Sequence, residues 1–406
     1  MDYQIVNEKL LFIRKKWQFI GENFYLLALI VYILSQFLPG TMFPSLLPSD
    51  LLYRITQVSG FLVILKMGLF DFEIKDGKWK NWLIYILLGL ILWKSCADAY
   101  QYNLYYYYLF VLGAQNIDYK KLLKIFLITM SLLVVVTIIA AKLHIIPGLT
   151  MGRFGTPTIR YALGMIYPSD LAARAFYLML AYCVFKRFSF NVAEYVGCFA
   201  WTLFIYFITD TKLDLILMLL VILAVMIYPY LITVFEFLGA KIVVAGTLFV
   251  TGVSVLMAYF YNSANPIFNL LDRILSGRLK YGHAAFEKYN VTVYGQFIRQ
   301  NGNGGIHSPI LDYFFIDSSY VKHLMMNGLI AFTVIMVIIC VLILRNMQVK
   351  AYSLVLYTLF MVISSIIDQH MLEISFNFVF IALLADTSYF VNNLPRKSKL
   401  NGEEIK

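Results

Sequence analysis

An all-α, polytopic integral membrane protein is what this sequence predicts, and three observations predict it. The chain of 406 residues is 61% hydrophobic and only 14% charged, with mean hydropathy +0.75, far above the apolar share of ordinary soluble domains. Its apolar residues fall in repeated, mostly apolar runs of about 20, the length that crosses a hydrocarbon core of about 30 Å. Backbone groups in lipid must be satisfied internally, and runs such as Trp82 to Leu92 lack the alternation of barrel strands, so the runs are expected to be helices.

Read in chain order with a window of about 19 residues, the spans fall near 19–38, 51–70, 82–98, 102–116, 122–141 and 168–185. Six more follow near 191–208, 212–228, 241–261, 323–344, 351–367 and 374–391. About 12 transmembrane helices in a single membrane domain, 1–406, are therefore expected. The first run has no small-residue cleavage site behind it and reads as a retained span. Cys96, Cys183, Cys198 and Cys340 all lie inside apolar runs, without CxxC spacing or a histidine partner, which speaks for packing and against a disulfide framework or a metal site. No cofactor is expected.

The net charge of +10 is explained by topology. Lys and Arg gather in alternate short loops: Arg14, Lys15 and Lys16; Lys75, Lys78 and Lys80; Lys120, Lys121 and Lys124; Lys186 and Arg187; Arg345 and Lys350; Arg396, Lys397 and Lys399. By the positive-inside rule these loops and both termini are cytoplasmic, and the basic balance is no nucleic-acid footprint. Two external loops break the rule. One, 142–167, carries Arg153 and Arg160; the other, 262–322, lies between the ninth and tenth spans and is too long for an ordinary connector.

The long loop opens with LDRILSGRLKYGHAAFEKY, Leu271 to Tyr289. The spacing of Ile274, Leu275, Leu279 and Ala285 predicts an amphipathic helix at the membrane surface, with Arg273 and Arg278 facing polar headgroups. Arginine presents a planar fork of donors matched to phosphate oxygens and stays charged at any physiological pH, so the same residues suit a bound diphosphate. Charge placement alone leaves both readings open, since arginines also snorkel to headgroups.

Three patches carry a resemblance. LSGRLKYGHAAF, then GNGG, then FIDSSYVKHLMMNGLIAF is similar to the long external loop of the Wzy-type polysaccharide polymerases and the related O-antigen ligases. Ser276, Gly277 and Arg278 fill its first part; Asp317, Ser318, Tyr320 and Gly328 fill its second, with Ser318 where Asn is common. IRYALGMIYPSDLAA resembles the family's Arg-x-x-x-Gly-Phe-x-x-Pro-Asn segment through Arg160, Gly164 and Pro168, with Met165 and Asp170 as substitutions. YFITDTKLD resembles its Thr-x-Ser-Arg turn, with Lys212 for Arg. Three short motifs in the right order and topology cover the middle and C-terminal two thirds of the chain.

What the resemblance implies is a GT-C-like glycosyltransferase of the bacterial cytoplasmic membrane. It would be inverting and metal-independent, moving a growing glycan from undecaprenyl diphosphate to the non-reducing end of a newly flipped lipid-linked repeat. Its partners would be the undecaprenyl-diphosphate-linked donor and acceptor, membrane lipid, a flippase and a chain-length regulator. Arg278 and Arg160 would clamp the diphosphate, with Arg153, Lys212 and Arg273 as further cations, and Asp317 would take the acceptor proton where the ligases carry His. A helix N-cap is the structural alternative for Asp317.

His307, Tyr320 and His323 are further substrate-binding candidates, although loop histidines are also commonly just solvated. The cluster Asp368, His370 and Glu373 is expected either to touch the acceptor glycan or to be solvated. Tyr105 to Tyr108 reads as a sugar platform or as an interfacial aromatic belt, and Lys94 with Asp98 as an i, i+4 surface pair. Gln300 to Pro309 is glycine-rich but lacks the Lys-Ser/Thr of a P-loop, and is expected to form a turn or lid over the sugar. A ligase shares the fold and donor and remains the nearer rival. A flippase of lipid-linked oligosaccharides would be expected to show near-equal short loops, two similar halves and ionisable residues at mid-span, whereas the exceptional charge here is read as external and loop-bound.

Overall fold

The structure, a computed structural model, describes residues 2–48, 50–71, 79–152, 157–306 and 312–392. It is 73% helical. The helices are α1 (Asp2–Phe37), α2 (Leu51–Lys66), α3 (Trp79–Ala99), α4 (Asn103–Gly113), α5 (Tyr119–Lys142), α6 (Pro168–Phe185) and α7 (Val192–Thr209). They continue as α8 (Lys212–Met226), α9 (Tyr228–Tyr259), α10 (Pro266–Ile274), α11 (Arg278–Lys288), α12 (Ser319–Met326), α13 (Gly328–Gln348) and α14 (Tyr352–Ile367). One small departure from all-α is an antiparallel ribbon of β1 (Thr150–Gly152) and β2 (Ile159–Tyr161), which pairs Met151 with Arg160.

Among the described residues seven helical stretches are long and apolar enough to cross a membrane: Trp17–Gly40, Leu51–Asp71, Lys80–Ala99, Tyr119–Lys142, Val192–Thr209, Tyr228–Tyr259 and Gly328–Gln348. Only 22% to 44% of the most apolar part of each is buried, so most of that surface faces outward, as it does on helices solvated by lipid. Helices α6 and α14 stand in the middle instead, with 14 of 18 and 12 of 16 residues buried. Ala172, Ala173, Ala175 and Ala181 on α6 let neighbouring backbones approach closely.

Eleven of the expected spans fall on helices, and the last does not. Residues 374–391 hold only the short 3-10 turns Val379–Leu383 and Ser388–Phe390. This oily segment threads through the bundle interior, where its backbone finds partners outside itself. Tyr107 donates to Asn377 O at 2.5 Å and Tyr119 to Phe378 O at 3.2 Å, Phe378 N donates to the Tyr357 hydroxyl at 3.2 Å, and Arg345 donates to Leu383 O. At its far end Asp386 exchanges backbone bonds of 2.8 and 2.9 Å with Ile117 and Tyr119, next to the basic Lys120. Irregular backbone at membrane depth is tolerated where protein surrounds it in this way. The tyrosine run in α4 is thus a packing device: Tyr107 and Tyr108 are buried, and Tyr108 donates to Tyr85 O at 2.7 Å.

The single amphipathic helix expected from Leu271 to Tyr289 is also corrected. It is broken into α10 and α11 by Ser276 and Gly277, both left-handed with φ of +56° and +91°, a conformation that glycine adopts without strain. Leu279 and Ala285 turn into the protein at 4% and 0% exposure, while Ile274 stays 57% exposed, so the four residues do not share a lipid face. Buried Asp272 locks the corner: its Oδ1 accepts from the N–H groups of Leu279 and Lys280, both at 3.0 Å. The rest of the long loop packs on a small core of its own, with Ala258, Ile298, Phe314, Ile316, Val321 and Met325.

Candidate functional site

The loops at the end of the bundle away from the basic connections close over a cavity of 570 Å³, within the range of about 300–1,000 Å³ usual for ligand sites. It is built from six separated segments. β2 supplies Arg160; the start of α6 supplies Asp170 with Tyr167 before it; the turn into α8 supplies Lys212 and Asp214; and the α10 to α11 corner supplies Ser276 and Arg278. Asp317, Tyr313 and Phe315 come from the strand-like approach to α12, and Asp368, Gln369 and His370 from the loop after α14. Four cations, Arg160, Lys212, Arg278 and His370, therefore share one void with four carboxylates, Asp170, Asp214, Asp317 and Asp368.

Each arginine is pinned by backbone carbonyls. Arg160 Nε donates to Thr209 O at 2.7 Å. Arg278 Nε donates to Ile367 O at 3.0 Å, and one Nη1 hydrogen goes to Ser276 O at 3.3 Å. Neutral carbonyls fix the direction of the Arg278 guanidinium, whose charge is felt by Asp317 and Asp368. The left-handed pair before it places Arg278 at the first position of α11, on the cavity wall.

Asp317 does not cap α12, since that helix begins after Ser318 and Asp317 is not its capping residue. Burial pushes the Asp317 pKa above the ordinary carboxylate range, against the pull of Arg278 and His370. Of the other expected site residues, Arg273 is exposed on α10 outside the cavity. Tyr320 is fully buried and spends its hydroxyl on Val362 O at 2.7 Å, which makes it a packing residue. His323 is buried rather than solvated; its Nδ1 lies 2.9 Å from Asn327 Oδ1, and it lines a separate chamber of about 20 Å³ with Lys322, Gln369 and Glu373. Arg153 and His307 lie outside the described residues.

The cluster after α14 is neither solvated nor loose. His370 is 5% exposed, its ring stacked on Phe376 with centroids 3.6 Å apart. Nε2 lies 3.3 Å from Asp368 and 3.6 Å from Asp170, and Nδ1 lies 3.0 Å from Glu373. Burial alone would lower the His370 pKa, but Asp368 and Glu373 overcome it and hold the ring protonated, with a pKa of about 10. Burial pushes Asp368 up to about 6, opposed by His370. Glu373 goes the other way: burial raises it, and His370 then brings it down to about 2. Beneath this cluster the wholly buried Arg174 lies 4.2 Å from the Phe376 ring and 4.7 Å from that of Phe37. Nothing in the sequence pattern marked Arg174; an arginine within an apolar run was the available signal.

The described part of the glycine-rich run, residues 300–306, packs on the cavity rim. Asn303 reaches the void, and a Cβ on Gly304 would lie 2.2 Å from Ile166 Cγ2 and 2.5 Å from the Tyr167 ring, so the backbone can lie there only as glycine. Among the described residues no grouping of His, Cys, Asp and Glu is disposed to hold a metal ion. What the arrangement can do is bind an anion through guanidinium edges while presenting a half-dry carboxylate to a hydroxyl. Comparison with protein families, with curated proteins and with solved structures finds no match for this chain.

Proposed function

We propose that this chain is a Wzy-type polysaccharide polymerase, an inverting glycosyltransferase of GT-C-like architecture in the bacterial cytoplasmic membrane. In this reading the chain crosses twelve times, the last time through the irregular 374–391 segment, and both termini are cytoplasmic. The observation that carries the reading is convergence: Arg160, Lys212, Arg278 and Asp317, selected from three distant motifs, line one cavity at the end away from the basic loops.

The donor glycan enters attached to undecaprenyl diphosphate, with its diphosphate against Arg278 and Arg160 and with Lys212 beside them. The acceptor hydroxyl of a second lipid-linked repeat attacks the anomeric carbon as the bond to the diphosphate oxygen breaks. Its proton passes to Asp317, which burial makes a stronger base than an ordinary carboxylate. The charge that grows on the departing diphosphate is met by guanidinium groups already fixed in place, so little reorganisation is required as it develops. His370, held protonated by its carboxylates, adds fixed positive charge to the cavity.

The test is glycan chain length made by purified protein from lipid-linked repeats. Arg278→Lys keeps the charge but loses the fork, and polymer formation should fall by about 10²- to 10³-fold, as for loss of one preorganised donor, at unchanged membrane abundance. Near-normal polymer from this variant would remove the clamp.

A further inference from the structure

Helix α10 carries an apolar stripe that no part of the described protein covers. Ile267, Leu270 and Ile274, spaced i, i+3 and i+7, are 69%, 60% and 57% exposed, and the cation Arg273 stands exposed beside them. The opposite face packs on the protein, with Asp272 buried and Phe268 and Leu271 half-buried. This is the reverse of a surface helix in water, which turns its apolar face inward. The stripe continues a surface already directed to lipid: Leu256, Tyr259 and Phe260 at the adjoining end of α9 are 54%, 52% and 61% exposed.

We propose that α10 lies in the outer leaflet of the membrane, with Ile267, Leu270 and Ile274 among the upper acyl carbons and Arg273 at the level of anionic headgroups. A short amphipathic helix that adjoins a span end and carries a basic flank fits a lipid surface. The seating reaches the site through the corner. Asp272 on α10 accepts from Leu279 and Lys280 on α11, and Gly277 N donates to Asp272 O at 2.8 Å, so the two helices move as one body with Arg278 at its edge. The leaflet thereby sets the height of Arg278. If Arg278 grips a lipid-linked diphosphate, as proposed above, one lipid surface positions both the substrate and the residue that holds it.

The experiment places a nitroxide spin label at Leu270→Cys, with Lys280→Cys on exposed α11 as reference, in protein whose four native cysteines are replaced by Ala. The protein is reconstituted in nanodiscs of phosphatidylglycerol and phosphatidylethanolamine. At 270 the label should relax more with oxygen than with a water-soluble nickel chelate, and at 280 the order should reverse. A label at 270 reached by nickel as readily as the one at 280 would place α10 in water and overturn the proposal. A frozen label reached by neither reagent would put protein, such as a second copy, on the stripe, and would overturn it equally. These outcomes do not depend on what the protein catalyses. For the coupling, Leu270→Glu should lower polymer yield several-fold at unchanged abundance, and an unchanged yield would show that the seating of α10 does not position Arg278.

Discussion

Two polar cavities lie at opposite ends of this bundle, and they use charge in opposite ways. The one at the basic end, 360 Å³, is lined by Lys66, Asp71, Glu22, Asn81 and Asn116. There Lys66 spends all three of its ammonium hydrogens, on the two carboxylate oxygens of Asp71 at 2.8 and 2.6 Å and on Gly113 O at 2.9 Å. Glu22 is likewise held by Lys121 at 2.6 Å. In the 570 Å³ cavity Arg278 is anchored by neutral carbonyls instead, and its charge acts across the void on Asp317 and Asp368. A buried cation neutralised by a carboxylate holds helices together; one anchored by carbonyls keeps more of its field for the cavity it faces.

The comparison is broken if charge removal has the same consequence at both ends. The largest expected effect is on turnover: Asp317→Asn should lower polymerisation by about 10²- to 10⁴-fold, the range for loss of a general base, without changing the amount of protein in the membrane. Asn could still accept hydrogen bonds, and α12 does not rely on Asp317 for its cap, so a fall in abundance would instead make Asp317 structural.

At the other end the expected effect is on stability. Lys66→Met strands Asp71 in a site where the pair is 3% and 12% exposed, and should cost about 3–5 kcal/mol, read as a lower thermal inactivation temperature in nanodiscs. Adding Asp71→Leu should restore much of it. Specific activity of the protein that survives should be normal, and a selective loss of turnover would give the basic-end cavity a part in the chemistry.

A smaller effect sharpens the contrast within the outer cavity. The folded state raises the His370 pKa from 6.5 to about 10, so its protonation stabilises the fold fully below pH 6.5, and that contribution fades as pH rises toward 10. Resistance to thermal inactivation should therefore decline between pH 7 and 10. His370→Gln should begin less stable and show a shallower decline; an identical slope would take His370 out of the balance.

How legible the protein was in its sequence follows from what each reading depended on. Spans such as 168–185 landed on the helix to the residue because hydropathy and Pro168 are local. The 374–391 segment misled because hydropathy scores side chains, while its path is set by Tyr107, Tyr119, Tyr357 and Arg345, whose positions relative to it only the fold determines. Gly277 gave notice of the break between α10 and α11, yet the cap by Asp272 joins residues seven and eight apart across a corner and has no helical period to reveal it. Arg160, Arg278 and Asp317, marked by motifs, line the cavity. Tyr320 and His323 lay in the same motif but face the helices rather than the void, which spacing alone does not distinguish. The His370 cluster was visible as three ionisable residues between oily runs, and only its burial made it part of the site.

If Arg278 is held ready for a diphosphate, as proposed, binding without turnover will show it. In nanodiscs, fluorescent undecaprenyl diphosphate should bind the native protein more tightly than undecaprenyl monophosphate does. Arg278→Lys should weaken diphosphate binding by about tenfold or more, since each lost charge-assisted hydrogen bond is worth about 1.5–3 kcal/mol. It should narrow the preference over monophosphate as well. Equal binding of the two lipids by the native protein, or undiminished diphosphate binding by Arg278→Lys, would contradict the account.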